Sequence, residues 1–159
     1  MERRPPDPFT APANPLLTPE ECWELLRHHE FGRLAVDVDG RPDIFPVNYV
    51  IHGNALVFRT GAGTKLAAAV LGRWVAFEID GVRPDERTAW SVVVKGWARE
   101  MTHANEVAAA RRLPPRPWIA EPKPHFVRIV PRLVTGRRYE VDGRVDVGLA
   151  GARTTTTGD

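Results

Sequence analysis

The stretch FRTGAGTKL, residues Phe58–Leu66, contains a strand end, a glycine turn and a helix start. The preceding Ala55–Arg59 has the apolar and aromatic composition typical of a strand, and Lys65–Leu71 (KLAAAVL) is typical of a short helix. Gly61 and Gly63 let the backbone curl so that successive N–H groups point inward, which is the geometry of an anion-binding nest. The stretch therefore predicts a strand–turn–helix connection suited to a phosphate group.

Four side chains beside this turn carry groups that bind phosphate. Thr60 and Thr64 supply hydroxyls, and Arg59 and Lys65 supply two positive charges. Thr64 also lies at the expected helix start, where unpaired N–H groups and the helix dipole favour negative charge. The alternative interpretation is an ordinary strand–turn–helix connection with exposed basic residues, because short motifs often match by chance.

Length and composition argue against several classes of protein. The chain has 159 residues, 43% of them hydrophobic and 26% charged, which is ordinary for one globular domain. Its formal net charge is only +2, whereas a nucleic-acid-binding protein needs basic residues clustered on one face. No apolar run is long enough to span a bilayer, and the lone Cys22 excludes an intramolecular disulfide. We therefore expect a cytoplasmic protein with no nucleic-acid or membrane partner.

The chain divides into a central domain and two irregular ends. Residues 1–15 contain five prolines and little apolar periodicity, which indicates a flexible arm. Residues 143–159 end in TTTTGD and are expected to form a disordered tail. The domain is therefore expected to occupy residues 16–142. A capping box at Thr18–Glu21 begins a helix that is expected to end near Gly32.

After the first helix, the pattern predicts short strands separated by tight turns. Asp39-Gly40 and Gly53-Asn54 are typical of hairpin turns. The last two strands are expected to be irregular, one bent at Gly96 and the other interrupted at Pro131. The predicted strands are Arg33–Val38, Ile44–Ile51, Ala55–Arg59, Arg73–Ile79, Ala89–Met101 and His125–Val141. Six or seven strands with three short helices predict a mainly β fold, an antiparallel barrel rather than a doubly wound sheet.

Two further motifs carry groups suited to a planar ligand. PVNY, residues Pro46–Tyr49, lies within a predicted strand, where a proline favours an edge or a bulge. A free edge leaves backbone N–H and C=O groups able to bind a flat heterocycle, and Asn48 adds a side-chain amide. Trp90 can pack over an aromatic ligand, and Ser91 can donate a hydrogen bond to it. The alternatives are a proline that protects an edge strand from aggregation, and a tryptophan in the core.

In this order, PVNY, FRTGAGTK, FEID and WSVVVKG resemble the flavin-binding split-barrel family, which includes the pyridoxamine 5′-phosphate oxidase-like proteins. Gly32–Ala35 and Val134–Arg138 are similar to that family too, so the resemblance extends from Thr18 to Val141. It implies a six-stranded split β-barrel that pairs as a homodimer and binds FMN at the dimer interface. It also implies an FMN-dependent oxidoreductase acting on a small organic substrate.

The resemblance assigns the cofactor-binding residues in two groups. The flavin ring would be lined by Pro46, Val47, Asn48 and Tyr49, and the 5′-phosphate would be held by Arg59, Thr60, Thr64 and Lys65. Trp90 and Ser91 would reach the cofactor from the partner subunit, and Arg137 would face the same cleft. No catalytic acid or base is assigned, because the electron pair passes through the flavin itself. The histidines are scattered, so no metal site is expected.

Departures from the family pattern leave other functions open. Vitamin B6 oxidases carry an Arg-x-His arrangement near the C-terminus, whereas this chain has no histidine after His125. A flavin-binding module that stores or senses the cofactor without turnover is therefore an alternative. The nitroimidazole-resistance relatives usually place a histidine where this chain has Arg59. A third possibility is a reductase that uses a deazaflavin coenzyme, whose anionic tail needs a wide basic groove; candidate residues for it are Arg111, Arg112, Arg116 and Arg137.

Overall fold

The computed structural model describes residues 16–61, 64–113 and 125–141. The predicted N-terminal arm and C-terminal tail lie outside these residues. Six strands form a closed antiparallel barrel in the order β1-β2-β3-β6-β5-β4, which confirms the predicted mainly β split-barrel fold. The strands are β1 (Phe31–Val38), β2 (Arg41–His52), β3 (Ala55–Thr60), β4 (Arg73–Arg83), β5 (Thr88–Glu100) and β6 (His125–Glu140), and the helices are α1 (Pro19–His28), α2 (Lys65–Val70) and α3 (Ala104–Arg111). None of these helices has the length and apolar character needed to cross a membrane.

The barrel interior is filled by apolar side chains that alternate along the strands. Phe77 of β4 is fully buried, and its ring lies edge-on to that of Tyr49, with 4.7 Å between centroids. The Tyr49 hydroxyl donates a 2.7 Å hydrogen bond to the carbonyl of Leu26, which joins the barrel to α1. Burial raises the pKa of Tyr49, so its hydroxyl stays protonated and remains a donor.

The first helix ends before the predicted position. Its last residue is His28, and Gly32 instead lies in β1, where it pairs with Val47. A Cβ at Gly32 would lie 2.6 Å from the carbonyl oxygen of Glu78 and closer still to the ring of Phe77. The glycine is therefore explained by close packing across the barrel and not by helix termination.

The last strand is not interrupted at Pro131, contrary to the prediction. β6 runs continuously, because the irregularity is a bulge opposite Lys95 and Gly96 of β5. Gly96 pairs with Pro131 and Lys95 pairs with Leu133, so one residue of β6 is extra at this point. A proline is tolerated at a bulge because the ladder hydrogen bonds are already disrupted there. The expected irregularity at Gly96 is confirmed.

The predicted capping box at the start of α1 is present. Thr18 Oγ1 accepts a 3.2 Å hydrogen bond from the Glu21 backbone N–H, and the Thr18 N–H donates to the Glu21 carboxylate at 2.8 Å. Thr18→Ala is expected to lower the free energy of unfolding by about 1 kcal/mol, because it removes the cap. Urea denaturation would measure this loss. Thr18→Ser keeps the hydroxyl and should be nearly neutral, so an equal loss in both variants would contradict this explanation.

Candidate functional site

The predicted strand–turn–helix connection links the end of β3 to α2. Thr60 is buried, and its hydroxyl oxygen lies 2.9 Å from that of Thr64. Thr64 Oγ1 donates to the Gly61 carbonyl at 3.0 Å and accepts from the Ala67 N–H at 3.1 Å, which caps α2. Both hydroxyls are thus engaged by groups at the two ends of the connection. Residues 62 and 63 of the predicted backbone nest lie outside the described residues, and the described groups suited to attract an anion are the neighbouring positive charges.

Arg59 and Lys65 flank this connection as cations without carboxylate partners. Arg59 is half-buried, with its guanidinium carbon 4.8 Å from the centroid of the Phe126 ring, and Lys65 is exposed. Across the described part of the chain, neither residue forms an ion pair. Arg33, in contrast, is 2.9 Å from Glu78 and is neutralised. The connection therefore concentrates positive charge that no carboxylate among the described residues balances.

The neighbouring strand β2 offers an open backbone edge. Its residues 41–48 pair with β1, but its pairing with β3 covers only 49–52 and stops at Tyr49 opposite Phe58. On the β3 side, residues 41–48 therefore have no strand partner within the described residues. Pro46 lies in this open part, and the next residue along β3 after Phe58 is Arg59. The open edge thus begins beside the cationic connection.

The side chains of the PVNY motif divide between the two faces of β2. Pro46 is exposed and Asn48 is half-buried, with its amide donating to the Glu30 carbonyl at 3.4 Å. Val47 and Tyr49 are buried in the barrel core. A planar ligand at this edge would therefore not meet the side chains of Val47 and Tyr49, and the Tyr49 N–H already donates to the Glu30 carbonyl at 2.9 Å.

A groove lies between the β1–β2 hairpin and α2, with a volume of about 860 Å³. This is within the roughly 300–1,000 Å³ range of small-ligand sites. Phe45 and Ala68 contribute apolar surface, and the groove has mixed charge. Its charged lining residues are Arg41, Lys65, Arg73, Asp39 and Asp43. Because Lys65 belongs to both features, the groove and the cationic connection adjoin.

Trp90, Ser91 and Arg137 lie together but elsewhere in the barrel. Ser91 pairs with Arg137 across β5 and β6. Trp90 is buried, with its ring edge-on to His29 at 4.8 Å between centroids and packed so closely over Gly81 that a Cβ there would lie 2.6 Å away. The Trp90 ring therefore lies in the barrel core, in agreement with the alternative interpretation of this residue as a core tryptophan.

The separation of these two groups follows from the strand register. Arg59 pairs with Phe126 on β6, and the adjacent Val127 pairs with Glu100 at the end of β5. Ser91 is nine residues earlier on β5, which corresponds to about 30 Å at roughly 3.3 Å per residue. One protomer therefore does not bring Ser91 and Arg59 to the same ligand.

Sequence patterns missed a charged network that covers the barrel beside Arg59. Arg99 of β5 donates to both carboxylate oxygens of Glu106 on α3, at 2.6 and 3.2 Å, and Arg128 of β6 lies 3.5 Å from the same carboxylate. Beneath α3, an apolar cluster packs Phe126 with Val57, Met101 and Ala110. The partners come from distant parts of the chain, so no local motif signals them.

This network predicts a specific loss of stability in acid. The hydrogen bond from Arg99 holds the pKa of Glu106 below its ordinary value. Its stabilisation is thus fully present above the pKa of the unfolded chain and is lost as pH falls through the lower pKa of the folded state. Glu106→Gln should cost about 1 kcal/mol at neutral pH and less at pH near 3, measured by urea denaturation. Exposed Glu24→Gln is the control, and a pH-independent cost at Glu106 would contradict the electrostatic explanation.

Comparison with known proteins agrees with this geometry. A closed six-stranded antiparallel barrel with few short helices defines a protein of the split-barrel class. A family model described as pyridoxamine 5′-phosphate oxidase matches residues 18–138. The chain therefore belongs to the pyridoxamine 5′-phosphate oxidase-like family, as its sequence motifs predicted.

Individual relatives are similar to this chain over most of its length. The FAD binding protein from Mycobacterium smegmatis is 37% identical, with a TM-score of 0.69 over 79% of this chain and 99% of that one. A Corynebacterium glutamicum structure, provisionally named a pyridoxamine 5′-phosphate oxidase, is also 37% identical, with a TM-score of 0.73 over 84% of this chain and 100% of that one. An uncharacterized protein of Mycobacterium tuberculosis is 35% identical over 130 residues, which are 79% of this chain and 85% of the relative.

Proposed function

We propose that this protein is a flavin-dependent oxidoreductase that acts on a small organic substrate and uses FMN. The observation that carries the proposal is a pair of cations, Arg59 and Lys65, that form no ion pair within the described residues and lie near the point where β2 and β3 separate. A flavin nucleotide combines a planar heterocycle with a phosphate, and the open edge of β2 lies beside those cations. The similarity to a mycobacterial FAD binding protein supports a flavin at this site.

The residues present fit such a cofactor. Arg59 and Lys65 would bind the phosphate by charge-assisted hydrogen bonds, beside the mutually hydrogen-bonded Thr60 and Thr64. The backbone edge at Pro46–Asn48 would hold the ring, because this segment has no partner on its β3 side within the described residues. When bound, the flavin supplies the electron-pair transfer, and the protein supplies binding and orientation.

FAD is a second candidate for the cofactor. The 37% identical relative is an FAD binding protein, and the 860 Å³ groove continues from Lys65 towards Arg41 and Arg73. Those two cations would bind a second phosphate beside Asp39 and Asp43, which line the same groove. A deazaflavin coenzyme, the alternative with the longer anionic tail, would use the same groove, and Arg111, Arg112 and Arg137 are not among its described lining residues. Chromatography of the chromophore released by denaturation separates all three.

We also propose that the protein acts as a homodimer. Large apolar side chains are exposed on the outer barrel surface, including Trp74 at 58% and Leu133 at 51% exposure. The register places them on the outer face of the neighbouring strands β4, β5 and β6, where the ring of Trp74 also contacts that of Trp97 at 5.8 Å between centroids. A second copy packed on this face would bury them. A second copy would also explain how Ser91 and Arg137 could contact a cofactor, because the proposed site of their own chain lies about 30 Å away.

A module that binds flavin without turnover is the competing function. The C-terminal part of β6 carries Arg137 and Arg138 but no Arg-x-His pair, and Arg138 lies 3.3 Å from Glu21 of α1. The Arg138 guanidinium is therefore already paired with a carboxylate of the protein and is not directed at a substrate phosphate.

The visible absorption spectrum of the freshly purified protein is the decisive test. A flavin spectrum, with FMN or FAD released on denaturation, would support the proposed cofactor, and bleaching by a nicotinamide donor would support an oxidoreductase. Bound flavin that no donor reduces would favour the storage or sensing module. A colourless protein that binds neither FMN, FAD nor the deazaflavin coenzyme on titration would overturn the proposal.

A further inference from the structure

We propose that Phe126 is a positioning residue that aims the Arg59 guanidinium at the cofactor phosphate. This inference rests on the proposed flavin nucleotide site and deepens it. The guanidinium carbon of Arg59 lies 4.8 Å from the centroid of the Phe126 ring, within the distance of a cation–π contact. Arg59 and Phe126 are direct cross-strand partners on β3 and β6, so their side chains lie on the same face of the sheet.

The contact explains why an arginine stands at this position. An aromatic ring attracts the flat face of a guanidinium, whereas its N–H donors point outward in the plane of the group. Stacking on Phe126 thus leaves the planar donor fork available for two hydrogen bonds to a phosphate. A lysine has no planar fork to keep in place, and a carboxylate partner would occupy the donors themselves. In the described part of the chain, Arg59 has no such carboxylate.

Phe126 is itself firmly held. Its side chain is 3% exposed and packs in the cluster beneath α3 with Val57, Met101 and Ala110. Its carbonyl accepts a 2.9 Å hydrogen bond from the Met101 N–H, which fixes the start of β6 against the end of β5. The ring is therefore a rigid platform, and Arg59 loses less conformational freedom on binding than an unsupported arginine would. Lys65, which is exposed, has no comparable support.

The test is a flavin titration of the full-length chain after removal of any bound cofactor, followed by fluorescence quenching. Phe126→Leu should weaken FMN binding by about fivefold, because it removes the aromatic face. Phe126→Tyr keeps that face and should bind FMN like the wild type. Riboflavin, which lacks the phosphate, should bind Phe126→Leu and wild type equally. Met101→Leu alters the same apolar cluster without a ring and should leave FMN affinity unchanged.

A double-mutant cycle identifies the partner through which Phe126 acts. In an Arg59→Gln background, Phe126→Leu is expected to cause no further loss of FMN affinity, because the group it positions is gone. An equal loss in both backgrounds, or an equal loss for riboflavin and FMN, would overturn the proposal in favour of simple packing. Phe126→Met replaces the leucine variant if that variant does not fold, with the same expected outcomes. A wild-type chain that binds neither FMN nor FAD would instead overturn the proposed function, and this inference with it.

Discussion

Arg59→Glu is expected to weaken flavin nucleotide binding by about a hundredfold or more. The substitution removes a charge-assisted contact to the phosphate, worth roughly 1.5–3 kcal/mol, and places a repelling carboxylate at the same point. No carboxylate in the described residues neutralises Arg59, so its whole charge is available to the ligand. Titration with FMN and with FAD at low ionic strength would measure the loss.

If the phosphate binds beside Arg59, the same change of net charge elsewhere on the surface should not weaken flavin binding. Arg132→Glu changes the net charge by the same amount at an exposed position on β6 and should leave flavin affinity nearly unchanged. The wild-type affinity should also fall as salt rises, and Arg59→Glu should flatten that dependence. Equal losses for the two variants would show that the phosphate is not bound beside Arg59.

Phe77→Ala is expected to lower the free energy of unfolding by about 3–5 kcal/mol. The ring is fully buried, lies edge-on to Tyr49, and fills the space left by the missing side chain of Gly32. Its removal leaves a cavity between two strands that the barrel hydrogen bonds hold apart, so the wall cannot easily collapse. Guanidinium denaturation followed by circular dichroism would measure the change.

The matched control is an apolar truncation on the outer surface of the barrel. Ile44→Ala removes a side chain that is 63% exposed, and its effect on the monomer should stay within about 0.5 kcal/mol. A loss at Phe77 as small as that at Ile44 would contradict the placement of Phe77 at the centre of the core.

Much of the fold was predictable because its signals are local. Asp39 and Gly40 both have positive φ, 54° and 77°, as the Asp-Gly pair predicts for a tight hairpin. The capping box at Thr18 likewise depends on residues three positions apart. Gly32 was misjudged because the same residue that ends helices also permits close packing in a strand, and only the distant Phe77 decides between them. Pro131 depended in the same way on a bulge in β6, which is defined only by the pairing of β6 with β5.

The candidate site was predictable in its residue types but not in its arrangement. The threonines and cations around Gly61 could be identified from one short stretch. The open edge at Pro46 depends on where β3 stops pairing with β2, and the stacking of Arg59 depends on a phenylalanine 67 positions later in the chain. Both are consequences of strand register, which no single motif encodes. Whether Ser91 and Arg137 contribute depends on a second chain, so they stay predictions.

The hydrogen bond from Tyr49 to the Leu26 carbonyl has a consequence for how the molecule opens. Isolated helices as short as α1 are marginal in water, and the end of such a helix normally frays faster than a barrel does. Here the last turn of α1 is hydrogen-bonded to the buried side chain of Tyr49, and this bond can break only when the core around Tyr49 opens. The helix and the barrel are therefore expected to unfold as one cooperative unit, with α1 as an integral part of the barrel domain.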